Sequence, residues 1–333
     1  MKFGRKLSLF FSGLLMTLLL SSVSEAGNVK WNLSTVFPPG NFHVKNIRTF
    51  AEAAKKVTGG ELEITVHDSA ALGIKGPATL GAVRDRIVDA AESSLEWQVG
   101  EVRMAALGAM PGLALGYDET FVLADTMRPR LNKALAKHNQ KLLYMVPWQG
   151  QGLYANIAIN TKADIKGLKM RAASEMALRF FEEMGASPIQ LPWSEVVPAL
   201  ASRLINGVST SSSSGVDGKF WEFMGYHSRY DWSNPISIVV VNLDAWKELS
   251  PGSRAAIEKL TWELEPQFWS ISKGINDDNL VKLSKNGMKV TTPNAALQTE
   301  ILEAGNRVLQ KYLETAGPDA KAIVKEYNTR MGR

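Results

Sequence analysis

The chain predicts an α/β fold in two lobes, and three observations carry that expectation. From residue 29 onward, period-two apolar stretches alternate with stretches at helical spacing. A glycine-rich break, Trp148-Gln149-Gly150-Gln151-Gly152, divides the alternation near its middle. Much later, the unbroken apolar run Ile236 to Val241 reads as a buried strand that carries the chain back to the first lobe.

Taken in order, Lys2, Arg5 and Lys6 precede an apolar run from Leu7 to Leu20, and the small residues Ser24 and Ala26 follow it, so residues 1–26 read as a secretory signal. The run is too short to span a bilayer, and no later stretch approaches that length. Removing the signal takes away three basic residues and Glu25, so the formal charge falls from +5 to +3. Basic residues are scattered and not interleaved with aromatics, which argues against nucleic acid as a partner. The absence of cysteine excludes disulfides, thiolate metal sites and a lipid anchor on cysteine. A freely diffusing, exported monomer is expected, with enough chain to bury the cores of two lobes.

Val29, Trp31 and Leu33 alternate with polar residues and predict a strand, broken by Pro38-Pro39-Gly40. Val44, Ile47, Phe50, Ala51, Ala54 and Val57 recur at helical spacing, and Gly59-Gly60 ends that helix. Leu62, Ile64 and Val66 form one face of the next strand. A helix near Pro77 to Arg84, an apolar stretch at Ile87 to Ala91, helical patterns over 118–138 and a strand at Lys141 to Val146 complete the first series. This order is how a parallel α/β layer is written.

After the break, Leu153 to Asn160 reads as extended, and a short strand ends at Arg171. Met176, Phe180 and Met184, with Ala177 and Phe181, give the helix Ser174 to Met184 an apolar stripe, and Gly185 closes it. Pro188 to Leu191 is a short strand, and Ser194 caps a helix through Ile205. From Leu243 to about Ser284 the residues favour helix, with Pro266 expected to bend or break it; one long kinked element would span both lobes. The tail, Ala295 to Tyr327, is two helices separated by Gly317-Pro318. The expected lobes are therefore 27–148 with 236–272, and 149–235 with 273–333.

The four histidines, His43, His67, His138 and His227, have no metal-ligand spacing, and no GxSxG, GxGxxG or Walker signature is present. No cofactor or metal is implied, and the balance moves from catalysis towards binding. Arg171 offers a guanidinium that can grip a carboxylate through two parallel hydrogen bonds, or can simply pair with a surface acid. The run Thr210-Ser211-Ser212-Ser213-Ser214-Gly215 reads either as a hydrogen-bonding loop over a ligand or as a solvated turn. Phe37 and Phe42, Trp148, and Trp232 in Asp231-Trp232-Ser233-Asn234-Pro235 sit at element ends, where they serve as core or as ligand walls.

Several segments together carry a family resemblance: Asn41-Phe42-His43, Phe50 to Gly60 followed by Leu62-Glu63-Ile64, Asp164 to Arg171, Gly185-Ala186-Ser187-Pro188, and Glu195 to Leu200. The chain resembles the DctP-like substrate-binding proteins of tripartite ATP-independent periplasmic (TRAP) transporters over nearly its whole mature length. That resemblance implies two α/β lobes joined by crossover strands and a long helix, closing on a ligand as a hinge. It gives Arg171 the role of binding the ligand carboxylate. The asparagine that often contacts the same carboxylate falls at Ser213 here, and Gly215-Val216-Asp217 resembles a branch of the family with a hydroxyl loop. A second family arginine falls near Gln151, which disfavours ligands like sialic acid.

The resemblance further implies a non-enzyme that captures a small organic acid in the periplasm and delivers it to membrane permease subunits. Arg171 would pair with the acid, and Ser213, Gln151 and Asn234 would add hydrogen bonds. Phe37, His43, Trp148 and Trp232 would line the site, and the two tryptophans would favour a flat or aromatic acid over a compact dicarboxylate. The rivals are a periplasmic enzyme, with Glu175 or His43 as acid or base, and a module that delivers the ligand to a sensor.

Overall fold

A computed structural model describes residues 28–333; the expected signal segment lies outside the described residues. In the first half, β1 (Val29–Ser34), β2 (Leu62–His67), β3 (Ala90–Ser94) and β4 (Gln140–Pro147) follow one another with intervening helices. The second half supplies β5 (Gly152–Ala155), β6 (Met170–Ala172), β7 (Ile189–Gln190), β8 (Gly207–Thr210) and β9 (Tyr226–Ser228), then β10 (Ile236–Asn242) and β11 (Lys289–Thr291).

These strands form two sheets, ordered β2-β1-β3-β10-β4 and β11-β9-β5-β8-β6-β7. In the first, β1 is parallel to β2 and β3, as the strand-helix-strand reading expects. The late strand β10 enters antiparallel between β3 and β4, with Val239 opposite Glu92 and Ile236 opposite Pro147. In the second sheet β6 runs parallel to β7 and β8, while β5 is antiparallel to β8 and β9. Each is thus a mixed sheet, because each contains one strand that arrives from the other lobe.

Two crossover segments join the sheets and bond to each other. The Trp148 amide donates to the Pro235 carbonyl (2.7 Å), and the Gln151 amide donates to the Ser233 carbonyl (2.9 Å). Their approach is so close that a Cβ on Gly150 would lie 2.2 Å from an Asp231 carboxylate oxygen, so only glycine fits there. The third connection is the helix Pro251–Lys285, which is unbroken at Pro266. A proline inside a helix costs about 3 kcal/mol. Packing offsets it: Ile257, Leu264 and Phe268 join the first lobe's core, while Leu280 and Leu283 join a cluster in the second.

Other elements depart from expectation. The helix Trp193–Ala201 begins after Pro192 and stops four residues before Ile205. Extended structure after the break ends at Ala155. The hydroxyl run is neither loop nor solvated turn: Thr210 ends β8, and Ser211 caps the helix Ser212–Asp217 by accepting from the Ser214 amide. Nor does the tail stay with one sheet. The helix Ala295–Thr315 pairs Arg307 and Lys311 with Glu183 on one side, and on the other the Tyr312 hydroxyl donates to the Arg103 carbonyl. The last helix, Pro318–Arg330, lies against the helix Gly116–Lys137, where Glu326 meets Arg130 and Arg330 meets Asp125. Among the described residues, no helix is long and apolar enough to cross a membrane.

Candidate functional site

The carboxyl ends of strands from both sheets converge on one cavity. Phe37 follows β1, Ser94 ends β3 with Glu96 and Trp97 just beyond, and Trp148 follows β4. From the other sheet come Arg171 in β6 with Ala173 after it, Trp193 after β7, Thr210 at the end of β8 and Ser214 beyond it. Gln151 and Pro235 come from the two crossovers. Ligands bind outside the carboxyl ends of open α/β sheets, and here two such edges face each other. A wider, mainly apolar recess of about 900 Å³ adjoins it, sharing Trp97, Ala173 and Trp193 with the cavity and adding Lys75, Pro77 and Pro192.

Arg171 is held from behind. Its strand residue pairs with Ile189 and Val208 on either side, and Nε donates to the Leu191 carbonyl at 3.0 Å. The flanking motifs are stitched together as well: Gly167 and Ser187 amides donate to the Gly185 and Leu168 carbonyls, at 2.9 and 2.8 Å. The side chain is 98% buried, and burial lowers its pKa to about 10, with Glu96 acting the other way. It therefore stays a cation at neutral pH. Among the described residues its Nε bond is its one protein hydrogen bond, and no carboxylate lies within ion-pairing distance, so both terminal nitrogens remain available on a cavity wall. A guanidinium in that condition has the donors that a carboxylate would accept from.

The aromatic side is equally fixed. Phe37 and Trp148 meet with ring centroids 4.7 Å apart, and Trp97 and Trp193 lie 5.9 and 6.1 Å from Phe37. The Trp148 indole N–H donates to the Ser237 hydroxyl (2.9 Å) on β10, which orients the ring. Gln151 is buried on the lining, with a long 3.5 Å contact from Nε2 to the Gln149 carbonyl.

Four residues expected at the site are placed elsewhere. His43 stacks behind the wall, 4.0 Å from the Phe42 ring and 4.4 Å from Trp148; burial drives its pKa to about 3, so it is neutral. Trp232 stacks on Phe180 (4.9 Å) and meets Phe181 edge-on, with its N–H on the Ser209 hydroxyl; it is core, because that helix's apolar stripe needs a cover. Asn234 staples the crossovers, accepting from the Gly116 amide (2.9 Å) and donating to the Trp148 carbonyl (3.2 Å). Ser213 turns outward on its helical turn and accepts from Asn279 of the long helix at 2.8 Å, while Thr210 and Ser214 face the cavity. Glu175 is half-buried and paired with Arg179.

The residues missed are Ser94, Glu96, Trp97 and Trp193. Glu96 is 92% buried; burial raises its pKa, against the Ser174 and Ser94 hydroxyls and the Arg171 charge. The available signal was position: Glu96-Trp97 follows the Ala90–Ser94 strand directly, at the edge where ligands bind.

Residues 33–315 match the model of the bacterial extracellular solute-binding protein family 7. A solute-binding protein of Chromohalobacter salexigens is 25% identical over 253 residues, 74% of each chain. In structure, the chain is similar to DctP6, a Bordetella pertussis extracytoplasmic solute receptor binding pyroglutamic acid, with a TM-score of 0.87, 34% identity, and coverage of 90% of this chain and 99% of that one. It is also similar to a marine metagenome TRAP solute-binding protein specific for pyroglutamate, with a TM-score of 0.86, 29% identity, and coverage of 91% and 99%. Two lobes, three connections between them and a buried arginine on the wall of the cleft fit the matched family, and this chain belongs to the bacterial extracellular solute-binding proteins of family 7, the DctP-like substrate-binding components of TRAP transporters.

Proposed function

We propose that this protein captures a small carboxylate between its lobes in the periplasm and hands it to the membrane permease subunits of a TRAP transporter. The observation that carries the reading is Arg171, buried, charged and with two nitrogens available on a cavity wall. Thr210, Ser214 and Gln151 add polar contacts, and Phe37, Trp97, Trp148 and Trp193 favour a flat ligand body. Relatives of 29–34% identity that take pyroglutamate support a compact acid.

In this reading the moving bodies are residues 27–148 with 236–272, and 149–235 with the second half of the long helix; the terminal helix travels with the first. Bonds across the cleft favour the closed form: Asn41 Nδ2 donates to Asp217 (2.6 Å), and Lys75 meets Glu195 (2.7 Å). A ligand touching both walls shifts the population towards closure by its differential affinity, so the hinge needs no ATP. The site is complete within one chain, and the protein acts as a monomer, which sedimentation would check. Titration calorimetry with a carboxylic acid and its amide tests the central claim. The acid should bind and the amide should not; equal affinities would defeat it.

A further inference from the structure

Glu96 shares the cavity with Arg171 yet is not its ion-pair partner. It is 92% buried, two residues beyond the end of β3. The Arg171 charge reaches it through the cavity without a direct contact. Consider what a bound carboxylate does to this pair. It takes the two available guanidinium nitrogens, and the cavity then holds one cation and two acids. Burial already disfavours the Glu96 charge, and a bound carboxylate offsets the Arg171 charge that supports it, so Glu96 stays a hydrogen-bond acceptor only where the ligand donates to it. The arrangement is stable when the part of the ligand facing Glu96 is a hydrogen-bond donor. A second ligand carboxylate there is the worst case, and an acceptor oxygen is little better. The small cavity also requires donor and carboxylate to be close together on a compact body.

We propose that Glu96 sets specificity: it accepts a hydrogen bond from an N–H group next to the ligand's carboxylate-bearing carbon, and it rejects dicarboxylates. This rests on the reading of Arg171 as the carboxylate anchor and adds a second recognition point on the opposite lobe. The acid thereby also links ligand choice to closure, since a ligand held by Arg171 and Glu96 together bridges both sheets.

The test compares pyroglutamate with its lactone isostere, 5-oxotetrahydrofuran-2-carboxylate, in which the ring N–H is replaced by oxygen. Succinate and the carboxamide of pyroglutamate complete the panel, titrated into the wild-type protein and Glu96→Gln. The wild type should prefer the lactam to the lactone by roughly tenfold to a hundredfold, the range for one hydrogen bond to a charged group. Succinate should bind at least as weakly as the lactone. In Glu96→Gln the amide can donate to the lactone oxygen as well as accept from the lactam, so the preference should collapse and succinate should gain. Equal binding of lactam and lactone by the wild type overturns the inference and requires no variant. So does an unchanged ratio in Glu96→Gln, or failure of the lactam where other monocarboxylates bind. The carboxamide separates the two claims: if it matches pyroglutamate, the anchoring role of Arg171 fails while the lactam-to-lactone comparison still reports on Glu96.

Discussion

The wall that the first lobe gives the cavity is mainly aromatic around one acid, with Phe37, Trp97 and Trp148 beside Glu96, whereas the second lobe gives one ring, Trp193, together with the cation and two hydroxyls, Arg171, Thr210 and Ser214. The difference follows from what lies behind each wall. Phe37 and Trp148 belong to the continuous apolar core that includes Trp31, Phe42 and Phe50, so their faces are fixed by packing. Arg171 has its backbone in a strand and its Nε on a carbonyl, so its free nitrogens are fixed by hydrogen bonds. Neither wall alone both holds a charge and excludes water. In the proposed reading, affinity depends on closing one against the other.

The sharpest way to break this asymmetry is Arg171→Ala. Removing one partner of a buried ion pair costs on the order of 3–5 kcal/mol, so carboxylate binding should fall by two to four orders of magnitude in calorimetry. Arg171→Lys should recover only part, since an ammonium lacks the planar fork.

Next in size is an effect on stability behind the aromatic wall. Glu92, on β3, is 99% buried and accepts from the Thr35 hydroxyl (2.9 Å); burial raises its pKa from 4.5 to about 7. Because the folded form holds the proton more tightly than the unfolded form, this group costs stability as pH rises from about 4.5 to 7. At 1.36 kcal/mol per pKa unit the loss is about 3 kcal/mol. Glu92→Gln should remove that slope, leaving stability similar near pH 4.5 and higher at pH 8 in denaturant titrations. A slope unchanged by the substitution would place the titration elsewhere.

A smaller effect tests closure directly. Asn41 accepts from the His43 amide as a helix cap and donates across the cleft to Asp217. Asn41→Asp keeps the cap but sets two carboxylates against each other, so ligand affinity should fall by about 1.5–3 kcal/mol, the range for a charged hydrogen bond. Small-angle scattering should show a wider ligand-free form, with thermal stability little changed. Smallest of all is Lys75→Ala. Both partners of the Lys75–Glu195 pair are about half exposed, and its loss should cost at most about 1 kcal/mol of affinity; high salt should mimic it.

Much of this molecule was legible as sequence because its signals are local. The alternation in Val29 to Ser34, the spacing from Val44 to Ala54 and the stripe of Met176, Phe180 and Phe181 all specify elements whose buried faces are the ones expected, except that Val57, at the end of its helix, is exposed. The motif around Arg171 was legible because its residues bond to one another within about twenty positions, and it led to a residue that does line the cavity. Trp148 and Trp232 show where local reading stops. Both lie in aromatic, polar crossovers, yet Trp148 faces the cavity while Trp232 covers Phe180. Ser213 and Ser214 differ by a single step around a helical turn, which sends one to Asn279 and the other to the cavity. The run of hydroxyls contains no sign of that phase.

By itself the chain determined the α/β order, the return strand and the short motif that carries Arg171, since each depends on periodicity or on local spacing. Only the tertiary structure decided that Glu96, 75 residues before Arg171 in the chain, stands with it in one cavity. The physical reason is that a cleft forms where the carboxyl ends of two sheets meet, and which side chains face it depends on strand register and crossover geometry over long sequence distances.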